Sequence, residues 1–252
     1  MEYIASPKNE HIKAAKKLTN KKYQKQGQAY LLEGWHLVEE ALKAGVTPKR
    51  LYATDKYLNE RLLKPFYDIT TEISPEVANH LAETPTPQGI FAVMPRVPGA
   101  LSKTLSGQFL LLDGIQDPGN VGTLVRTADA AGIGTVVFGN GTADAFNPKV
   151  LRAMQGSQFH VNLVTAPLPA LVDQLKAAGV PVYGTELNVN ALPYTEVAPS
   201  AQFGLIVGNE GNGMDAGLLR QTDTNLYIPI KGRAESLNVA IAAAVVLFHL
   251  TA

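Results

Sequence analysis

Phe109-Leu110-Leu111-Leu112 is an apolar run without polar alternation, closed by Asp113. A strand wetted on one face alternates, whereas one covered on both faces does not, so this run demands a parallel sheet with helices on either side. The residues that follow keep that rhythm. Asn120 is placed to cap a helix to Ala131 that stops at Gly132, 135–138 reads as a strand, and Asn147-Pro148 supplies a cap and an N1 proline for the next helix. Further strands are expected at 161–164, 180–183, 203–207 and 226–230, with helices over 168–178, after Asp215 and from Val239 onward. The pattern is that of an α/β fold built on a parallel sheet.

The first part of the chain is a smaller α/β unit. Asn9 or Ser6 caps a basic helix to about residue 20, 23–28 reads as a polar loop, and strands are expected at 30–34, 50–53 and 89–93. Trp35, Leu37, Val38, Ala41 and Leu42 recur at helical spacing before Gly45, and 55–63 reads as a helix. Pro95, Pro98, Gly99, Ser102, Ser106 and Gly107 mark a boundary, giving domains at 1–97 and 108–252 with a linker at 98–107.

Composition narrows the chemistry. The chain has no cysteine, which excludes disulfides, thiolate metal sites and a cysteine nucleophile, and its five histidines are scattered, so no metal is expected. The longest apolar run, 239–248, is too short for a bilayer, and the lysine-rich start lacks a signal-peptide core, so a cytoplasmic protein without a membrane partner is expected. Net charge is zero, yet residues 1–97 hold 14 Lys and Arg against 11 Asp and Glu. Seven lysines within 1–30 face only Glu2 and Glu10, a pattern equally suited to contact with a polyanion or to a solvated helix face.

Ligands of parallel sheets bind beyond the carboxyl ends of the strands. Three polar, glycine-bearing loops fall there: 113–122, 208–213 and 229–238. The first leads to Arg126 among Leu124, Val125 and Ala128, where a half-buried guanidinium needs a carboxylate or a phosphate. The second sets Glu210 between glycines, and the third places Ser236 and Asn238 before the last helix, as caps or as ligand contacts. No dinucleotide fingerprint or P-loop occurs, which weighs against a nicotinamide enzyme.

Together these segments resemble the SpoU (TrmH) family of RNA 2′-O-ribose methyltransferases, in the SPOUT superfamily. The likeness is carried by Asp117-Pro118-Gly119-Asn120-Val121-Gly122 through Arg126, by Ile206-Val207-Gly208-Asn209-Glu210-Gly211, and by Ile228-Pro229-Ile230 through Glu235-Ser236-Leu237-Asn238-Val239. Residues 147–153 with Gly156-Ser157 add to it, and the first domain is similar to the family's ribosomal-protein-like substrate-binding domain.

The resemblance implies a parallel-sheet domain with a C-terminal trefoil knot, a homodimer, and S-adenosylmethionine as methyl donor to a ribose 2′-hydroxyl of structured RNA. It places Asn120, Arg126, Glu210, Ser236 and Asn238 at the reacting centre, and Thr185, Gly208, Asn209, Gly213, Ile228, Pro229, Ile230 and Leu237 around the cofactor. In this picture Ser236 and Asn238 orient Arg126, while Glu210 takes part in chemistry or orders its loop. Ribosomal RNA is the expected substrate; transfer RNA, or a non-catalytic RNA-binding protein of this fold, is the alternative.

Overall fold

The computed structural model describes all residues, Met1–Ala252. They form two compact units, one of 1–97 with 146–159 and one of 98–145 with 160–252. No helix is long and apolar enough to cross a membrane.

The first unit contains β1 (Glu2–Ile4), α1 (Glu10–Lys17), α2 (Lys21–Gly27), β2 (Ala29–Glu33), α3 (Trp35–Lys43), β3 (Arg50–Ala53), β4 (Thr70–Ile73), α4 (Pro75–Leu81) and β5 (Ile90–Pro95). Its sheet runs β1-β4-β3-β5-β2, with β2 and β3 antiparallel to β5 and the other pairs parallel. Ile12, Tyr52, Val77, Leu81 and Phe91 meet in its core.

Two expectations fail here. Residues 23–27 are not loop but part of α2, with Gln28 as its C-cap, because Asn20 caps Lys22 N–H and buried Gln24 gives Nε2 to the carbonyls of Leu18 and Phe146. Such a tertiary bond has no periodicity to betray it. Residues 55–63 form no α-helix; two 3₁₀ segments, Asp55–Tyr57 and Arg61–Ile69, replace it, and Pro65 lacks the N–H that a longer ladder requires. β1, β4 and α4 were not foreseen from the sequence.

The second unit carries β6 (Gln108–Asp113), α5 (Pro118–Ala130), β7 (Thr135–Phe138), β8 (Asn162–Thr165), α7 (Leu168–Ala177), β9 (Val182–Thr185), β10 (Leu192–Pro193), β11 (Phe203–Gly208), α8 (Ala216–Gln221), β12 (Thr224–Tyr227) and α9 (Val239–Leu250). The helix between β7 and β8, α6 (Pro148–Met154), belongs to the first unit. All seven strands are parallel, in the order β10-β12-β9-β11-β6-β7-β8. Leu110, Leu111 and Leu112 of β6 are wholly buried, as are Leu205 and Ile206 of the neighbouring β11. Each such side chain contributes about 1.5–3 kcal/mol relative to exposure.

Chain direction across the sheet reverses between β6 and β11, so the loops that follow these two strands open side by side. The β11 loop leaves no room at its start. A Cβ on Gly208 would lie 2.3 Å from Met214 N and 2.4 Å from the carbonyl carbon of Gly213, against backbone that cannot swing aside. Gly208→Ala is therefore expected to cost about 1–3 kcal/mol in denaturant unfolding, whereas Gly232→Ala, with nothing within 4 Å, should stay within about 0.5 kcal/mol.

Candidate active site

α5 does not begin as its sequence suggested. Asp117, not Asn120, is the N-cap, accepting Asn120 N–H at 2.8 Å while Pro118 takes the first helical position. Asn120 thus sits in the first turn with its side chain free for other work. At α9 the N-cap is Asn238, whose Oδ1 accepts the N–H groups of Ala240 and Ile241 at 2.9 and 3.3 Å. Ser236, expected to share the capping, is exposed and caps nothing.

These two asparagines join all three loops. Because Asn238 Oδ1 is held by backbone donors, its Nδ2 faces outward and donates to Asn120 Oδ1 at 2.9 Å. Asn120 Nδ2 in turn donates to Glu210 Oε1 at 3.0 Å. Glu210 also accepts the N–H groups of Gln116 and Asp117, each at 3.2 Å. Asn209 adds a second tie: its Nδ2 donates to Gly114 O at 2.7 Å, and its Oδ1 accepts Gly211 and Asn212 N–H. The β11 loop is closed by paired bonds between Asn209 and Gly213, the latter at φ +69°.

Around this framework lies a cleft of about 560 Å³. Asn120, Glu210, Ser236 and Asn238 line it, together with Thr185, Gly208, Asn209, Gly213, Ile228, Ile230 and Leu237. Pro229 does not reach it, and Thr185 spends its hydroxyl on Ile206 O at 3.0 Å. Arg126 stands outside the lining; it is exposed rather than half-buried and forms no hydrogen bond with Ser236 or Asn238. The reason is the α5 register, which buries Leu124, Val125 and Ala128 and turns residue 126 to the open side.

Glu186, Leu187, Leu226, Tyr227, Glu235, Val239, Ala242 and Val246 also line the cleft and were not among the expected site residues. Ala242 and Val246 continue the Asn238 face of α9 at four-residue steps, a signal that was present. Glu186 and Leu187 follow the end of β9, where only the strand order discloses their position.

Partial burial alone would raise the Glu210 carboxyl, but the bonds from Asn120 and from backbone N–H groups outweigh it and hold the group below its ordinary value of 4.5. A depressed carboxyl stabilises the fold above the unfolded value and loses that contribution as pH falls through the folded one. Glu210→Gln is expected to lower stability at pH 7 by about 1 kcal/mol, an exposed charge-assisted network being screened. Below about pH 4.5 the two melting curves should converge.

Residues 107–248 match the family model described as the SpoU rRNA Methylase family, and residues 9–92 match the MRM3-like substrate binding domain. The chain is 49% identical over 257 residues to the 23S rRNA (guanosine(2553)-2'-O)-methyltransferase RlmP of Bacillus subtilis, covering 99% of each protein. Among solved structures it is similar to an AdoMet-bound rRNA methyltransferase from Sinorhizobium meliloti (TM-score 0.89, 29% identity, 99% of this chain and 97% of that one). An RNA 2'-O ribose methyltransferase aligns with TM-score 0.84 at 28% identity, over 98% and 97% of the two chains. With a motif set, a sheet topology and a near full-length relative in agreement, the chain belongs to the SpoU rRNA methylase family.

Proposed function

We propose that the chain methylates a ribose 2′-hydroxyl of 23S ribosomal RNA, using S-adenosylmethionine. The observation that carries this reading is the Glu210–Asn120–Asn238 hydrogen-bond chain, which gathers the three motif loops around one cleft. The cleft volume lies within the roughly 300–1,000 Å³ range of small-molecule sites. Its lining suits the cofactor: apolar surface from Leu226, Ala242 and Val246 for a purine, and carboxylates of Glu186, Glu210 and Glu235 for a cation.

Gly208, Asn209, Gly213, Ile228, Ile230 and Leu237 would hold the cofactor, with Thr185 as a fixed wall and Pro229 stiffening the loop behind. When bound, S-adenosylmethionine supplies an electrophilic methyl group. The chain's own task is to align the 2′-oxygen for in-line attack and to ease loss of its proton. Arg126 binds the phosphate beside the target ribose; its guanidinium carries donors and no acceptor, so it positions and polarises rather than accepts the proton. Ser236, exposed on the cleft, faces the ribose. Asn120 and Asn238 keep the loops in register, since their amide groups are already engaged. Glu210 orders the first loop through the two backbone N–H groups it accepts.

The first unit would carry the RNA. It holds 16 Lys and Arg against 11 Asp and Glu, and exposed Tyr23 lies under Lys17 and Lys22 at 5.7 and 5.8 Å. Such contacts hold phosphates without reading sequence. A second copy completes the site in this reading: Ile241 and Phe248, seven residues apart on α9, are 53% and 52% exposed and form an apolar ridge suited to a two-fold partner. A C-terminal trefoil knot, a cytoplasmic location and catalysis without metal belong to the same proposal.

Incubating the protein with methyl-labelled S-adenosylmethionine and unmodified 23S rRNA should yield one alkali-resistant linkage. Arg126→Ala should reduce that transfer by about 10²–10³-fold with cofactor affinity retained; near-normal transfer would remove Arg126 from the mechanism. Phe248→Glu should shift the particle from dimer to monomer in light scattering.

A further inference from the structure

The first unit contains a cavity of about 240 Å³ that the reaction above does not use. It lies between the turn from β2 to α3, the loop before β5, and the end of α6, all parts of the first unit. Internal bonds fix most of its polar side chains and determine which atoms are left over. Glu33 is spent on Glu83 N–H and the Thr84 hydroxyl. Gln88 Oε1 accepts Trp35 N–H at 2.7 Å, leaving the Gln88 amide N–H groups to donate. His36 Nε2 lies 3.0 Å from the Gln155 carbonyl and must donate to it, so in the neutral ring Nδ1 is an acceptor. Gln155 Nε2 donates to Arg152 O, leaving its Oε1 open. Arg152, 28% exposed, comes no nearer than 4.0 Å to the Glu33 carboxylate, outside hydrogen-bond range.

The site therefore offers donors from Gln88 and Arg152 alongside the Gln155 Oε1 acceptor, with the His36 ring on its wall. A phosphate site would offer donors alone. The mixture matches the edge of a heterocyclic base, and the volume falls short of the roughly 300 Å³ at which whole-cofactor pockets begin. Shape is enforced by backbone as well. Gly34, at φ +99°, faces Gln88, and Gln155 holds a left-handed φ of 52° that only a local constraint sustains. Unpaired RNA bases are read in this manner, splayed from the stack and bonded along their edges.

We propose that this cavity receives one unpaired nucleobase of the substrate RNA, distinct from the nucleotide that is methylated. The inference rests on the reading of the chain as an rRNA methyltransferase.

The test uses full-length protein with S-adenosylmethionine and a 23S rRNA transcript. Gln88→Glu keeps the acceptor for Trp35 N–H and removes the donors; Gln155→Lys keeps a donor for Arg152 O and removes the acceptor. Each should weaken RNA binding about tenfold, with melting temperature and cofactor affinity unchanged. Base-specific chemical probing should show one unpaired nucleotide protected by the wild-type chain and released by Gln88→Glu. Making that nucleotide abasic should weaken binding as much, with no further loss when combined with Gln88→Glu. RNA affinities within twofold of wild type, or an abasic transcript that binds normally, would overturn the proposal. Binding is read separately from transfer: a wild-type chain that binds the transcript without methylating it overturns the reaction, and the pocket is then decided by the binding ratios. No binding by the wild-type chain overturns both.

Discussion

The arrangement of the second unit depends on a chain of hydrogen bonds whose direction admits no reversal. At one end the backbone of α9 donates to Asn238 Oδ1; at the other the Glu210 carboxylate can only accept. Between these limits each amide has one possible orientation. Asn238 must donate, and Asn120 must accept on one side and donate on the other. The bonds span sequence separations of 118 and 90 residues. Three loops that could each wander are thereby referred to one carboxylate, which explains why Glu210, although exposed, has a lowered pKa. An aspartate at either asparagine position would present a second acceptor where a donor is required, and the chain would break at that point.

Charge follows the same division of labour. The first unit carries a net charge of +5 and the second −5, although the whole is neutral. A net positive unit attracts polyanions, and the acidic residues around the cleft of the second favour a cationic ligand. Uniform charge would have forced one requirement against the other.

Much of the second unit was readable because its physics is local. Apolar runs without alternation disclosed β6 and β11, and in the first unit Asn147 with Pro148 disclosed the start of α6 in the same local way. The misreadings have a common origin. Asp117 and Asn120 are both competent caps for α5, as Ser236 and Asn238 are for α9; the sequence does not show which residue leaves helical dihedral space, and Asn120 is taken instead by partners 90 and 118 residues away. α2 was missed for a similar reason, its Gln24 being held by the carbonyl of Phe146. Of the residues that the family resemblance implies, all but Arg126 and Pro229 line the cleft, and Arg126 is turned away by the α5 register, which only the packing of Leu124, Val125 and Ala128 discloses.

The allocation of 146–159 to the first unit has a consequence for how the protein is made. The chain passes between the units three times, at 97–98, 145–146 and 159–160. Phe146 stacks against Tyr30 and Arg96, and Gly156 lies so close to Glu40 that a methyl group would clash. During synthesis the first unit is therefore incomplete when residue 97 emerges, although its core and sheet lie within 1–97. Its completion must wait until β6, α5 and β7 have also been made, with its surface unfinished meanwhile. Synthesis from the ribosome thus delivers the last piece of the first unit, α6 with its flanks, only after part of the second.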